Sequence, residues 1–373
     1  MPSLSVMIKP VSSSCNLSCA YCFYSDESRH RAVCNTGRMD EKTHRNVILR
    51  AAEFAEGDLT FVFQGGEPTV AGLDFFRRHV DLCRSAGKAG LRIHNCLQTN
   101  GYAIDGEWAA FLAENGFLIG LSLDGPQEIH DAYRTDGKGR GSFVRAERAA
   151  ALFDRYGARY NILCVVTEKA AADAEKLLDY FRDKGFRYLQ FIPCLDGLDG
   201  VRGEYSLTPE SYGRFLTVTF GRYYSAFCNN EFLSIRNFDN YLMMLAGHPA
   251  ESCGMNGTCA IVFTVEASGD VYPCDFYVLD EYCGGNVNKD SFRTIAASER
   301  FRRFVTRSRF AAAECAACRW FPLCRGGCFR YREAAASGEP ALNRYCESYK
   351  RFFSECGDRL IGMARELLSR GRA

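Results

Sequence analysis

The first two-thirds of the chain alternates short apolar runs with longer amphipathic segments. Runs rich in apolar and β-branched residues predict β-strands at residues 4–8, 59–63, 91–97, 117–123, 160–166 and 188–192. Between them, the apolar spacing is typical of helices at residues 41–56, 74–86, 107–115, 142–156 and 170–184. Repeated βα units predict a parallel sheet with right-handed crossovers. Six units, with no sign of eight, predict an α/β fold based on an incomplete (β/α)6 barrel.

The loop after the first strand carries the most distinctive group of side chains. Active sites of such barrels lie at the C-terminal ends of the strands, and here this loop contains Cys15, Cys19 and Cys22 at CxxxCxxC spacing. A [4Fe–4S] cluster takes one thiolate per iron, so three cysteines leave one iron open to a small molecule. Structural zinc or a redox dithiol remains open on spacing alone. The aromatic residues Tyr21 and Tyr24 favour a shielded cluster.

Polar residues also follow the second, third and fourth predicted strands. The segment Gln64-Gly65-Gly66-Glu67-Pro68 contains two glycines, which let the main chain approach a ligand closely. Ser122, the last polar residue of the fourth strand, is a candidate contact for a ribose or carboxylate group. Asn100 and Asp124 fit ordinary turn chemistry.

The C-terminal third contains a second group of cysteines. Its eight members are Cys253, Cys259, Cys274, Cys315, Cys318, Cys324, Cys328 and Cys346. They suffice for two fully ligated [4Fe–4S] clusters, although paired CxxC segments also hold zinc. A β-hairpin predicted at residues 262–273 falls between these cysteines. Before these cysteines, Thr208-Pro209-Glu210 predicts the start of a connecting helix with Pro in its first turn. The aromatic residues of this connecting segment are expected to pack in the core or at a domain interface. We therefore predict a barrel domain with this connecting helix at residues 1–230 and an iron–sulfur domain at residues 231–373.

Composition and charge narrow the class of protein. The 373 residues include 46 basic and 45 acidic side chains, a net charge of +1 that gives no electrostatic reason to expect nucleic acid or an anionic membrane as a partner. The sequence contains no apolar stretch of the ~20 residues that span a bilayer and no secretory signal pattern. Nineteen cysteines, an odd number, argue against a disulfide framework and for reduced thiols, so a cytoplasmic location is predicted.

The cysteine loop, with an aromatic residue just before Cys22, resembles the motif of radical S-adenosylmethionine (AdoMet) enzymes. The resemblance implies a partial (β/α)6 TIM-like barrel in which the open iron chelates the amino and carboxylate groups of AdoMet. One electron then cleaves AdoMet to a 5′-deoxyadenosyl radical. The segment Gly65, Gly66 and Glu67 resembles the GGEP motif, which implies contact with the AdoMet amino group. The main chain around Tyr21 and Leu195 is implied to contact adenine.

The late cysteines, with the hairpin inserted between them, resemble the SPASM iron–sulfur extension of peptide-modifying members of this superfamily. The resemblance implies two auxiliary [4Fe–4S] clusters, and hence three in the chain. The ligands implied for the first are Cys253, Cys259, Cys274 and Cys328. Those implied for the second are Cys315, Cys318, Cys324 and Cys346.

The segments 252–259 and 272–277, together with Gln64 to Pro68 and Cys22 to Tyr24, are similar to those of anaerobic sulfatase-maturating enzymes. This family oxidises a cysteine or serine of a sulfatase to Cα-formylglycine. The resemblance implies a substrate segment Cys/Ser-x-Pro/Ala-x-Arg and an electron donor such as flavodoxin or ferredoxin. Asp275, next to a predicted cluster ligand, is the candidate proton acceptor, since a base must be fixed in place. It could equally accept hydrogen bonds around the cluster. Tyr24 and Gln64 are candidate substrate neighbours, with ordinary packing as the alternative.

Two other functions use the same sequence features. A SPASM-type maturase of a ribosomally made peptide would form a thioether, a carbon–carbon crosslink or an epimer. Such maturases often carry an N-terminal leader-recognition domain, whereas only three residues precede the first predicted strand here. A non-catalytic iron–sulfur or zinc scaffold is the alternative from another class.

Overall fold

The computed structural model describes residues 4–309, 312–332 and 341–371. The strands are β1 Leu4–Ile8, β2 Asp58–Phe63, β3 Arg92–Thr99, β4 Leu118–Ser122, β5 Arg159–Val166, β6 Tyr188–Pro193, β7 Ser234–Ile235, β8 Phe263–Val265, β9 Asp270–Tyr272 and β10 Gly285–Asn286. The helices are α1 Phe23–Arg29, α2 Glu41–Phe54, α3 Leu73–Ala86, α4 Gly106–Glu114, α5 Gln127–His130, α6 Phe143–Tyr156, α7 Glu168–Ala172, α8 Ala174–Asp183, α9 Pro209–Cys228, α10 Arg236–Leu245, α11 Phe292–Ala296, α12 Glu299–Ser308, α13 Phe321–Cys324 and α14 Cys346–Ser369. All six predicted strands and the predicted hairpin, β8–β9, are present. The helix predicted at residues 170–184 is two helices, because Asp173 leaves helical geometry.

Local sequence signals explain where the helices begin. Asp40 caps α2 by accepting from the Thr43 amide at 2.6 Å, and Asp105 caps α4 by accepting from the Trp108 amide at 3.0 Å. Thr208 caps α9, and Pro209 occupies its first turn as predicted. These caps fix where each helix leaves its loop.

The chain divides into two compact units. The first comprises residues 1–123, 130–161 and 261–304, and its strand order is β10-β9-β8-β1-β2-β3-β4. Strands β1 to β4 are parallel neighbours, and β8 pairs with the other edge of β1, also in parallel. Phe61 and Phe63 of β2 are fully buried in its core. The pairing of β8 with β1 is a structural finding that the sequence pattern does not reveal.

The second unit comprises residues 124–129, 162–260 and 305–373. Its strands β5, β6 and β7 are parallel, and α14 packs along α9. The connecting-segment aromatics lie in this packing, since Phe220 contacts Phe352 of α14 with ring centroids 5.6 Å apart. The predicted division at residues 230 and 231 stays a prediction. In the part of the chain that the structure describes, none of the helices has the length and apolar character needed to span a membrane.

Candidate active site

The loop that carries Cys15, Cys19 and Cys22 is tied to a neighbouring turn by its main chain. The Ser18 amide donates to the Thr135 carbonyl at 2.7 Å, and the Ala20 amide donates to the Tyr133 carbonyl at 3.0 Å. These main-chain hydrogen bonds define the path of the loop.

The thiol of Cys22 stands at the start of a helix. Cys22 is the N-cap of α1, and its Sγ accepts from the Ser25 amide at 3.4 Å. Burial raises the pKa of this thiol, while the Arg134 and Lys9 cations oppose the rise. Coordination to a metal deprotonates a thiol outright. The cysteine thiols of this loop therefore fit an iron–sulfur cluster, whose iron ions supply the positive charge. Cys19 and Cys22 are half-buried, and Cys15 is exposed.

The two glycines after β2 are required by close approach of the chain to itself. A Cβ on Gly66, whose φ is +56°, would lie 2.2 Å from the Ser14 carbonyl oxygen of the cysteine loop. A Cβ on Gly65, whose φ is +104°, would meet the side chain of Lys9 at 2.7 Å. Both glycines thus let the segment after β2 lie close to Lys9 and to the cysteine loop. The AdoMet contact predicted for this segment stays a prediction.

Glu67 is a buried anchor between two post-strand loops. Its carboxylate accepts from the Thr69 hydroxyl at 2.7 Å, the Thr99 hydroxyl at 2.8 Å and the Asn100 amide at 2.8 Å. Burial raises its pKa, and these hydrogen bonds oppose the rise. The side chain of Asn100 in turn donates to Asn16 at 2.7 Å, inside the cysteine loop. Contact of Glu67 with AdoMet would therefore involve its main chain.

Asp275 is held by two side chains from strand ends. Lys9 Nζ lies 2.5 Å from Asp275 Oδ1, and Gln64 Nε2 donates to Oδ2 at 2.5 Å. Lys9 is fully buried, whereas the Asp275 side chain keeps 11% of its surface exposed. Asp275 begins the short 3₁₀ turn after Cys274, which follows β9. The carboxylate is thus fixed in place, and Gln64, predicted as a neighbour of the substrate, contacts it directly. The roles of both residues stay predictions.

Tyr24 connects the same lysine to a second buried carboxylate. Lys9 Nζ lies 3.7 Å from the centroid of the Tyr24 ring, a cation–π contact. The Tyr24 hydroxyl donates to Glu266, which also accepts from Arg31 at 3.0 Å and from Thr36 at 3.0 Å. Burial raises the pKa of Glu266, and Lys9 opposes the rise. Tyr24 is only 3% exposed, and these contacts hold its side chain in a fixed position inside the protein.

Sequence reasoning missed Lys9, Glu266 and Arg31. A signal was available for the first two, since each directly follows an apolar strand, β1 and β8, at the end where barrel active sites form. Arg31 carries no such signal. Of the other predicted contacts in the first unit, Ser122 is the half-buried last residue of β4. The ring of the buried Tyr21 contacts Tyr133 at 6.3 Å.

In the second unit, four cysteines surround one cavity. Its lining includes Cys315, Cys318, Cys324 and Cys346 together with Lys350. These are the four ligands implied for the second auxiliary cluster. The shared cavity and the all-thiol donor set fit a [4Fe–4S] cluster.

Three of the four ligands implied for the first auxiliary cluster also lie in the second unit. Burial, together with the thiols of Cys253 and Cys259, raises the pKa of Cys328 to about 12. The Cys259 amide donates to the Ser308 hydroxyl oxygen at 2.9 Å. Cys274 belongs to the first unit, so the complete set stays a prediction. Among the described residues, no group of three or more His, Cys, Asp or Glu side chains is arranged to hold a single metal ion. The four cysteines of the second set instead surround the cavity described above.

Comparison with known proteins establishes the class of this chain. Residues 10–204 match the radical SAM superfamily, and residues 255–319 match the SPASM iron–sulfur cluster-binding domain. The chain is therefore a radical AdoMet enzyme that uses AdoMet and [4Fe–4S] clusters, with an α/β TIM-like domain followed by a SPASM domain. The predicted fold class and cofactors are confirmed.

Relatives of similar length narrow the class further. The cysteine-type anaerobic sulfatase-maturating enzyme of Clostridium perfringens is 46% identical over 369 residues, 98% of this chain and 100% of the relative. The serine-type enzyme of Bacteroides thetaiotaomicron is 30% identical, over 98% of this chain and 92% of the relative. A solved structure of native anSMEcpe with bound AdoMet and Cp18Cys peptide is 44% identical with a TM-score of 0.94, over 98% and 100% of the two chains. This chain belongs to the family of anaerobic sulfatase-maturating enzymes, and the peptide-maturase alternative is not favoured.

Proposed function

We propose that this enzyme oxidises a cysteine in a sulfatase segment to Cα-formylglycine, with Asp275 as the proton acceptor. The observation that carries the role of Asp275 is its fixation by Lys9 at 2.5 Å and Gln64 at 2.5 Å on the turn that follows Cys274. A base must have fixed geometry before its proton affinity matters. The partly exposed face of this carboxylate leaves room for a substrate thiol.

In this oxidation, the side chain of Asp275 accepts the proton of the substrate thiol. When bound, AdoMet would supply the radical chemistry that removes one hydrogen atom from the substrate Cβ. An iron–sulfur cluster held by the C-terminal cysteines would accept the remaining electron, so that the Cβ–S single bond becomes the C=S bond of a thioaldehyde. Water then replaces sulfur, releasing hydrogen sulfide. Lys9 balances the charge of Asp275 before the proton moves.

Cofactor ligands and partners follow from the same assignment. We assign Cys15, Cys19 and Cys22 to the AdoMet cluster. Cys253, Cys259, Cys274 and Cys328 hold the first auxiliary cluster in this proposal, and Cys315, Cys318, Cys324 and Cys346 hold the second. The residues that contact AdoMet in this proposal are Gly65, Gly66, Glu67, Ser122, Tyr21 and Leu195. The substrate site is lined by Tyr24 and Gln64. The electron donor is a flavodoxin or ferredoxin, and the reaction takes place in the cytoplasm, where thiols stay reduced.

A cysteine substrate is favoured over serine by the relatives. Identity is 46% with the cysteine-type enzyme of Clostridium perfringens and 30% with the serine-type enzyme of Bacteroides thetaiotaomicron. The chain therefore shares more of its overall sequence with the cysteine-type enzyme.

The test is mass spectrometry of a Cys-x-Pro-x-Arg peptide after anaerobic incubation with AdoMet and reductant. A loss of about 18 Da marks conversion of cysteine to the aldehyde by radical oxidation at Cβ. The matched Ser-x-Pro-x-Arg peptide should react more slowly, and an alanine peptide should not react. A thioether, a crosslink or an epimer with no loss of 18 Da would contradict the proposal. Iron analysis should give about twelve iron atoms per chain for three clusters, whereas zinc in their place would support a scaffold.

A further inference from the structure

The segment after β6, which carries Leu195, is held from both sides by three side chains of the second unit. The Tyr331 hydroxyl donates to the Pro193 carbonyl at 2.6 Å, and the Tyr345 hydroxyl donates to the Cys194 carbonyl at 2.9 Å. On the other side of Leu195, Arg344 donates to Asp196 at 2.5 Å. Cys194 is thus part of the held segment.

The three donors come from the chain that surrounds the predicted ligands of the auxiliary clusters. Tyr331 lies three residues after Cys328, and Arg344 and Tyr345 directly precede Cys346. Tyr345 is fully buried, and its ring contacts that of Tyr331 at 5.3 Å. Water cannot replace such a buried donor, so the two carbonyls depend on these hydroxyls.

The donor segment is itself fixed to a cluster loop. Asn343 donates to the Gly326 carbonyl at 3.1 Å, two residues after Cys324. Asn343 and Cys324 both line the four-cysteine cavity. Filling that cavity with a cluster would therefore fix Asn343, then Arg344 and Tyr345, and through them the carbonyls next to Leu195.

We propose that Tyr331, Arg344 and Tyr345 are positioning residues that couple occupancy of the second auxiliary cluster to the affinity for AdoMet. They do not contact AdoMet. They hold the Leu195 segment in the conformation that receives adenine, and they do so when the cysteine loops are ordered around iron. The inference rests on the proposed function in its assignment of Leu195 to AdoMet and of the four cysteines to a cluster.

The first experiment compares Tyr345→Phe and Tyr331→Phe with the wild-type holoenzyme, each reconstituted to the same iron content. The dissociation constant for AdoMet is measured by equilibrium dialysis, and amide hydrogen exchange is measured over residues 190–198. Loss of one buried hydrogen bond should weaken AdoMet binding about threefold to tenfold and accelerate exchange in the segment. The matched control is Tyr349→Phe, since Tyr349 packs against Tyr212 in the same aromatic group at 6.0 Å. It should leave both measurements unchanged.

The second experiment tests the coupling. Cys346→Ser, which removes one cluster ligand, should weaken AdoMet binding in the wild-type background and have a smaller effect in Tyr345→Phe, because the connection is already cut. Equal effects in both backgrounds, or an AdoMet dissociation constant within twofold of wild type for both tyrosine variants, would overturn the proposal. Formylglycine is assayed separately at saturating AdoMet. Absence of that product with altered AdoMet binding would contradict the proposed function alone.

Discussion

Replacing Lys9 with methionine should separate AdoMet cleavage from oxidation of the peptide. The change removes a fully buried ammonium group 2.5 Å from Asp275 and keeps an unbranched side chain that is one atom shorter. Coulomb attraction at this distance is about 7 kcal/mol with an effective dielectric constant of 20. After desolvation, removing one member of a buried pair costs about 3–5 kcal/mol because the other charge is left uncompensated. Asp275 then turns away from its position, and a misplaced base loses about a hundredfold or more in proton transfer.

The assay is the ratio of formylglycine to 5′-deoxyadenosine in one anaerobic reaction. We expect Lys9→Met to form deoxyadenosine near the wild-type rate while the ratio falls about a hundredfold. Iron content and circular dichroism check that the variant is folded and loaded. The matched control is Lys176→Met, because the solvent-exposed pair of Lys176 with Glu128 is screened by water and contributes little to stability. A wild-type ratio in folded Lys9→Met would refute the reasoning that Lys9 positions Asp275.

Three further outcomes are expected. Asp275→Asn should spare deoxyadenosine formation and suppress formylglycine, and full product yield would remove Asp275 from its role. Cys15→Ala should lower iron by about four atoms per chain and abolish AdoMet cleavage, whereas surviving deoxyadenosine would contradict the site. Burial lowers the pKa of His44 to about 2 and of His79 to about 4, so the unfolded chain takes up protons first as pH falls below about 6.5. Folding should therefore weaken by about 2 kcal/mol per histidine between pH 7 and pH 5. A thermal midpoint whose pH slope is unchanged in His44→Leu/His79→Leu would contradict this.

The local parts of the fold were readable from the sequence because their signals are local. Strand β1 has its predicted bounds, and the cap at Thr208 with Pro209 starts α9 as predicted. The 24-residue helix α14 was missed, although Phe352, Cys356 and Leu360 repeat at helical spacing along its buried face. Only the metal-ligand role of Cys346, its first residue, was predicted for this segment.

The site was only partly readable because its contacts are distant in sequence. Asp275 and Gln64 were predicted as site residues from their motifs, but Lys9 lies 266 residues from Asp275 and meets it through the pairing of β8 with β1. A sequence pattern predicts where a strand begins and ends, but not which strand it pairs with. The hydrogen bonds of Tyr331 and Tyr345 to the segment after β6 could not be predicted either, since tyrosines near cysteines predict only packing.

The parallel pairing of Val6–Ile8 with Phe263–Val265 has a consequence for biosynthesis. Until Phe263–Val265 has been synthesised, one edge of β1 has no partner strand. Unpaired strand edges promote association with other chains. A nascent or truncated polypeptide that stops before this point would also lack Asp275. Proteolytic fragments limited to the N-terminal half should accordingly aggregate rather than persist as a small AdoMet-cleaving domain.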